Sequence, residues 1–185
     1  MGTIYCLSTL ATSSIEEVAE AGPLAVKWFQ LYIYKNRSIT RNLVTRAEKA
    51  GFSALLVTVD APYFGQRYGD EKNEFKLPDH LRLANFEHDN LASYGMKGDH
   101  GLQLNQYINS LFDSSLVWKD LLWLKSITSM PLVVKGILTP EDALLSLQHG
   151  ASAIMVSNHG GRQLDSVPAT VSIQLAPSIS LDYIT

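Results

Sequence analysis

Short apolar runs alternate with longer segments of helical character along this chain. Residues 4–7 precede a helical stretch at 14–21, and residues 28–33 precede one at 39–50. Residues 55–59 are followed by a long polar stretch and then a helical segment at 118–126. Residues 132–134 precede a helix at 140–149, and the run Ala153–Val156 comes last. Runs this short and this continuously apolar read as strands covered on both faces, which is the pattern of a parallel sheet flanked by helices. A parallel pair needs a long crossover, and the helical segments supply it. The pattern therefore predicts an α/β fold.

Local signals sharpen the helix ends. Ser13 or Ser14 can cap a helix that carries Glu16 and Glu17 in its first turn, where acidic side chains complement the helix dipole. Thr139-Pro140-Glu141-Asp142 supplies a cap, a proline at the first helical position and two early carboxylates. Gly51 and Gly150 each follow a helix and lead into the next strand.

Composition narrows the class. The chain has 185 residues, 46% hydrophobic and 18% charged, enough for one domain with a substantial core. Its formal net charge is −3, and no basic run suits a nucleic-acid partner. The single cysteine, Cys6, has no internal disulfide partner and reads as a small core residue. The first residues lack the basic start and apolar length of a signal peptide, and no run is long enough to span a membrane, so the chain reads as soluble. It ends Asp182-Tyr183-Ile184-Thr185, without a Ser-Lys-Leu-like peroxisomal address.

The stretch from Pro62 to Phe112 is rich in Gly, Asp, Asn, Lys and Tyr and lacks periodicity, which predicts a partly mobile excursion over the active face. His80, His88 and His100 fall within it without metal-ligand spacing, so no metal site is expected.

Candidate chemistry collects where the predicted strands finish: Ser8, then Gln30 and Tyr32, then Thr58 and Asp60, then Lys135, then Ser157 and His159. One polar residue at a strand end means little, but five strands in succession match a βα barrel, which assembles its site at that rim. The last group, Ser157-Asn158-His159-Gly160-Gly161-Arg162-Gln163-Leu164-Asp165, is the most informative. His159 supplies an imidazole able to take a proton, Arg162 presents a planar fork suited to a carboxylate, and two glycines permit a tight turn. Asp60 can orient His159 and stabilise its charged form, or simply cap the loop that follows. Arg67 can serve as a second carboxylate-binding cation or as a surface arginine. Lys135 can meet an anionic or electron-rich partner, pair with a helix carboxylate, or act as a Schiff-base lysine.

Four segments carry a family resemblance: Thr58-Val59-Asp60-Ala61-Pro62 with Gly65 and Arg67; Phe29-Gln30-Leu31-Tyr32-Ile33-Tyr34-Lys35; Lys135-Gly136-Ile137-Leu138; and the run from Ser157 to Asp165. Together they resemble the FMN-dependent α-hydroxy-acid oxidases, especially the glycolate oxidases, from about residue 2 to 170. The resemblance implies a (β/α)8 barrel with FMN at the C-terminal ends of its strands. It implies that Ser8, Gln30, Thr58, Lys135 and Ser157 contact the flavin, with Lys135 near the ring edge that becomes anionic on reduction. Tyr32, Arg67 and Arg162 would hold the substrate, a small 2-hydroxy acid. His159 would take the hydroxyl proton with Asp60 behind it, and O2 would be reduced to H2O2. A peroxisomal location and a possible homo-oligomer come with the same resemblance. Leu10 stands where glycolate oxidases usually carry Trp, which widens the expected pocket toward substrates longer than glycolate.

Counted against that pattern, the chain begins at the second barrel strand and finishes after the sixth, a partial barrel without the family's flavin-phosphate segments. Residues 171–185 do not resemble the expected sixth helix and read as a divergent tail. Two alternatives stay beside the oxidase: a catalytically silent fragment or splice product, and a lysine-dependent aldolase-like barrel resting on Lys135 alone.

Overall fold

The computed structural model describes residues 2–86 and 108–173. Five strands, β1 (Tyr5–Ser8), β2 (Lys27–Leu31), β3 (Ala54–Thr58), β4 (Leu132–Ile137) and β5 (Ala153–Val156), form one parallel sheet in the order β1-β2-β3-β4-β5. The helices described in full include α1 (Ile15–Ala21), α2 (Arg37–Lys49), α3 (Tyr68–Lys72), α4 (Trp118–Lys125) and α5 (Pro140–Gln148). Each strand lies beside its predecessor, so every crossover advances the sheet in the same direction. A doubly wound sheet would reverse at a switch point; this one has the winding of a barrel wall.

The two faces of the sheet bury different things. On one, Leu7, Phe29, Leu31, Leu55, Val57, Leu132 and Val134 pack with Ile15, Leu43, Val44, Ala47, Leu124 and Ala143 of the helices into the main core. On the other, Ala54, Leu56 and Val133 form a small separate cluster edged by Trp28 and Ala153. Successive residues of a strand point to opposite faces, so Leu55 and Leu56 enter different clusters. All five residues of β3 are buried, which is why Ala54-Leu55-Leu56-Val57-Thr58 reads as an unbroken run.

Helix starts follow their caps. The Ser14 hydroxyl accepts from the Glu17 N–H while the Glu17 carboxylate accepts from the Ser14 N–H, a reciprocal capping box. Thr139 caps α5 through the Asp142 N–H. Helix α2 begins earlier than the expected residue 39, because the Asn36 side chain accepts from the Ser38 N–H. Gly51 and Gly150, at φ 79° and 89°, make the left-handed turns that end α2 and α5.

Two further expectations are corrected. Cys6 is exposed rather than a core residue, because it lies on the sparsely covered face of the edge strand β1. Strand β4 runs past Val134 to Ile137, with a register shift between Lys135 and Ile137 that takes up Gly136 at φ 112°. Within the described part of the excursion after β3 lie α3 and a buried 3-10 turn of Ala84, Asn85 and Phe86, for which the lack of periodicity gave no sign. Lys27 is buried at the start of β2, and its Nζ donates to the Gly22 and Ala25 carbonyl oxygens at 2.6 and 3.0 Å.

Candidate active site

The rim at the C-terminal ends of the strands is built from consecutive crossovers. After β5 the chain turns through three successive left-handed residues, His159, Gly160 and Gly161, at φ 57°, 66° and 70°. Two of them are glycine, for which this region is open; His159 is not, and the conformation costs an ordinary residue about 1 kcal/mol. Local bonds hold the turn: the Ser157 hydroxyl accepts from the His159 N–H at 3.0 Å, and the Asn158 side chain accepts from the Gly160 N–H at 3.1 Å.

That turn delivers His159 to Asp60. His159 Nδ1 lies 2.7 Å from Asp60 Oδ1, and Lys135 Nζ lies 3.0 and 3.2 Å from the two Asp60 oxygens. Lys135 Nζ is also 3.3 Å from His159 Nδ1. One carboxylate thus stands between an ammonium and an imidazole, with side-chain exposures of 9% for Asp60, 12% for His159 and 18% for Lys135. Burial by itself raises the Asp60 carboxyl, but hydrogen bonds from His159 and Lys135, together with their charges, outweigh it and hold the group below the ordinary carboxylate value. With Nδ1 engaged by Asp60, Nε2 is the imidazole nitrogen left for a substrate proton. Gly136 makes the approach possible, since a Cβ there would fall 2.5 Å from the Asp60 Cβ. Asp60 belongs to the loop after β3, so the Lys135 ion pair is with a loop carboxylate and not with a helix one.

A polar row continues along the rim. Ser8 Oγ donates to Gln30 Oε1 at 3.3 Å, and Gln30 Nε2 donates to Thr58 Oγ1 at 2.9 Å. The Thr9 N–H donates to the same Gln30 oxygen at 3.2 Å, and the Thr9 hydroxyl to the Gln30 carbonyl oxygen. Strand pairing sets Ser8 beside Gln30 and Thr58 beside Lys135, so the row joins the charged trio.

Tyr32 stacks on Phe112 with ring centroids 4.4 Å apart. Burial, with the Asp60 charge adding to it and Arg162 and Arg67 opposing it, pushes its phenol up to about 12, so it remains a proton-bearing donor at neutral pH. The fields of Asp60, Arg162 and Arg67 therefore meet at one hydroxyl. Arg67 Nη1 donates to the Arg162 carbonyl oxygen at 2.6 Å, and its guanidinium lies over the Phe64 ring at 5.5 Å. Arg162 is exposed.

Sequence reasoning did not single out Asn85, Thr9 or the side chain of Gln163. Asn85 is buried, accepts from the Ile15 N–H at 2.9 Å and donates to the Thr9 carbonyl at 3.1 Å, tying the β1–α1 loop and its Leu10 to the excursion after β3. It sits in a stretch without periodicity, so no local signal marked it. His80 is exposed, whereas His88 and His100 lie outside the described residues. Among the described residues no three His, Cys, Asp or Glu side chains gather as a metal ion would need, and no helix is long and apolar enough to cross a membrane. Most of the 171–185 tail also lies outside them.

The chain is similar in sequence and fold to known proteins. The chain is 55% identical over 175 residues to 2-hydroxyacid oxidase 1 of Mus musculus, covering 94% of this chain and 47% of that protein. It is 54% identical over 170 residues to glycolate oxidase of Spinacia oleracea, covering 92% and 45%. A crystal structure of mandelate oxidase with (S)-4-hydroxymandelic acid superposes with a TM-score of 0.80 at 37% identity, over 93% of this chain and 47% of that one. The chain thus spans about half the length of the curated relatives it matches, and its wall corresponds to part of a complete oxidase barrel. The family of FMN-dependent dehydrogenases matches residues 1–180, and with the rim just described this chain belongs to that family.

Proposed function

We propose that this chain serves the FMN-dependent oxidation of an (S)-2-hydroxy acid to a 2-oxo acid. The observation that carries the proposal is the contact of His159 Nδ1 with Asp60 Oδ1 at 2.7 Å, on a rim that also carries Lys135 and two arginines. An imidazole oriented by a carboxylate is a general base, and two guanidiniums are a carboxylate clamp.

The donor set fits a flavin. Hydroxyls of Ser8, Thr58 and Ser157, the Gln30 amide and the Lys135 ammonium lie at the ends of consecutive strands, offering donors and acceptors suited to the ring's own nitrogen and oxygen atoms. These five residues would hold the group. When bound, FMN supplies the two-electron oxidant, which O2 regenerates with release of H2O2.

The chain's own residues do the rest. Arg67 and Arg162 hold the substrate carboxylate, and Tyr32 donates from its phenol to the substrate's oxygen. His159 Nε2 takes the hydroxyl proton, and Asp60 fixes the ring and stabilises the imidazolium that results. Lys135 places a fixed positive charge at the same rim, where it favours anionic character in what binds there. An aldolase role for Lys135 is disfavoured, since an ammonium held 3.0 Å from a carboxylate lacks the lone pair that carbonyl addition requires.

The test is anaerobic. The purified chain, supplied with FMN, is mixed with an (S)-2-hydroxy acid; bleaching of the bound flavin's absorbance, followed by H2O2 on admitting air, is the expected result. Protein that does not retain FMN, or whose flavin stays oxidised, overturns the proposal in favour of a silent fragment. A peroxisomal setting accords with peroxide as the product, and organelle fractionation tests it.

A further inference from the structure

Gln163 follows Arg162 directly, and its amide spans two loops. Its Oε1 accepts from the Gly65 N–H at 2.9 Å and from Arg67 Nη2 at 3.3 Å, and its Nε2 donates to the Tyr63 carbonyl oxygen at 2.6 Å. One side chain thereby joins residues 63, 65 and 67 of the loop after β3 to the loop after β5. Gly65 belongs to the same junction: a Cβ there would fall 2.2 Å from the Arg162 carbonyl oxygen and 2.8 Å from Gln163 Oε1. The two loops meet backbone to backbone, and the amide is the polar peg between them.

We infer that Gln163 is a positioning residue, fixing the distance between the Arg67 and Arg162 guanidiniums and so setting the affinity of the site for a carboxylate. Three features of the amide suit it to this. It uses an acceptor toward Arg67 and a donor toward Tyr63 at once, which neither a carboxylate nor a hydrocarbon can do. It restrains Arg67, a long side chain whose rotamer freedom would otherwise be lost only when substrate binds. It also holds the backbone from which Arg162 projects. The inference rests on the proposed carboxylate clamp but not on turnover.

The full chain, loaded with FMN, is titrated with oxalate by calorimetry, and KM and kcat are measured with a 2-hydroxy acid. Gln163→Ala is expected to weaken oxalate binding and raise KM by about tenfold, with kcat and FMN affinity within about threefold. In an Arg67→Ala background the same change should cost less than about twofold, because the two residues act as one unit. Gln163→Glu keeps the shape, loses the donor to Tyr63 and sets a negative charge beside Arg67. It should weaken oxalate at least as much, and it decides the matter if the alanine variant does not fold. Oxalate affinity and KM within about twofold of wild type in either variant, or equal losses with and without Arg67, overturn the inference, as does a wild-type chain that does not bind oxalate. A wild-type chain that binds oxalate through Gln163 but oxidises nothing sinks the proposed activity and leaves this role standing.

Discussion

Asp60 Oδ1 stands 2.7 Å from His159 Nδ1 although 99 positions separate the two residues in sequence. Two strands and their crossovers lie between them, so the contact is a product of the sheet order. Replacing Asp60 with Asn keeps the size of the side chain and removes its charge. Turnover of a 2-hydroxy acid should then fall on the order of 10² to 10⁴-fold with substrate affinity little changed, read by steady-state kinetics on flavin-loaded protein. A variant that keeps wild-type kcat leaves His159 without need of its carboxylate.

Substituting Gly136 by Ala tests how that carboxylate is seated. The added methyl would meet the Asp60 Cβ at 2.5 Å, and the residue would have to hold φ at 112°. Denaturant unfolding should show a loss of about 1–3 kcal/mol, and the His159 ring resonances should shift. Unchanged stability with unchanged His159 signals contradicts the close packing of β4 on Asp60.

Alkali should act through two tyrosines. Burial pushes the Tyr32 phenol up to about 12, helped by the Asp60 charge, and raises Tyr34 well above the ordinary value of 10.0. A phenol whose value is higher folded than unfolded contributes stability that is complete below the unfolded value and drains away as pH climbs toward the folded one. Stability should therefore decline from about pH 10 upward, and Tyr32→Phe should flatten part of that decline in unfolding titrations. Identical pH profiles for variant and wild type count against the buried phenol.

Leu10 supplies the substrate-length prediction. It is half-buried beside the main core, and its N–H donates to the Ser8 hydroxyl at 3.1 Å, which sets it next to the polar rim. Leu10→Trp should lower kcat/KM for a medium-chain hydroxy acid relative to glycolate by roughly 10-fold or more. An unchanged ratio removes Leu10 from the pocket.

The sheet was legible because its strands are buried runs and its helices carry caps that act within a few residues: Ser14, Thr139, Gly51 and Gly150 each mark a boundary by local bonding. The start of α2 was less so, since Asn36 competes with other polar residues nearby as a cap. The polar side chains at strand ends, which make up the candidate site, could be placed for the same reason as the strands. Cys6 was misread because nothing local distinguishes the covered face of a strand from the open one. The contacts of Asn85 and of the Gln163 amide escaped notice because they join residues 70 and about 100 positions apart, and no spacing rule reaches that far.

The amine of Lys27, folded back onto two carbonyl oxygens of the turn before β2, is screened from reagents that acylate lysines. Its rate of labelling, set against that of the solvated lysines of this chain, would clock how often the α1–β2 turn comes undone while the rest of the sheet stays intact.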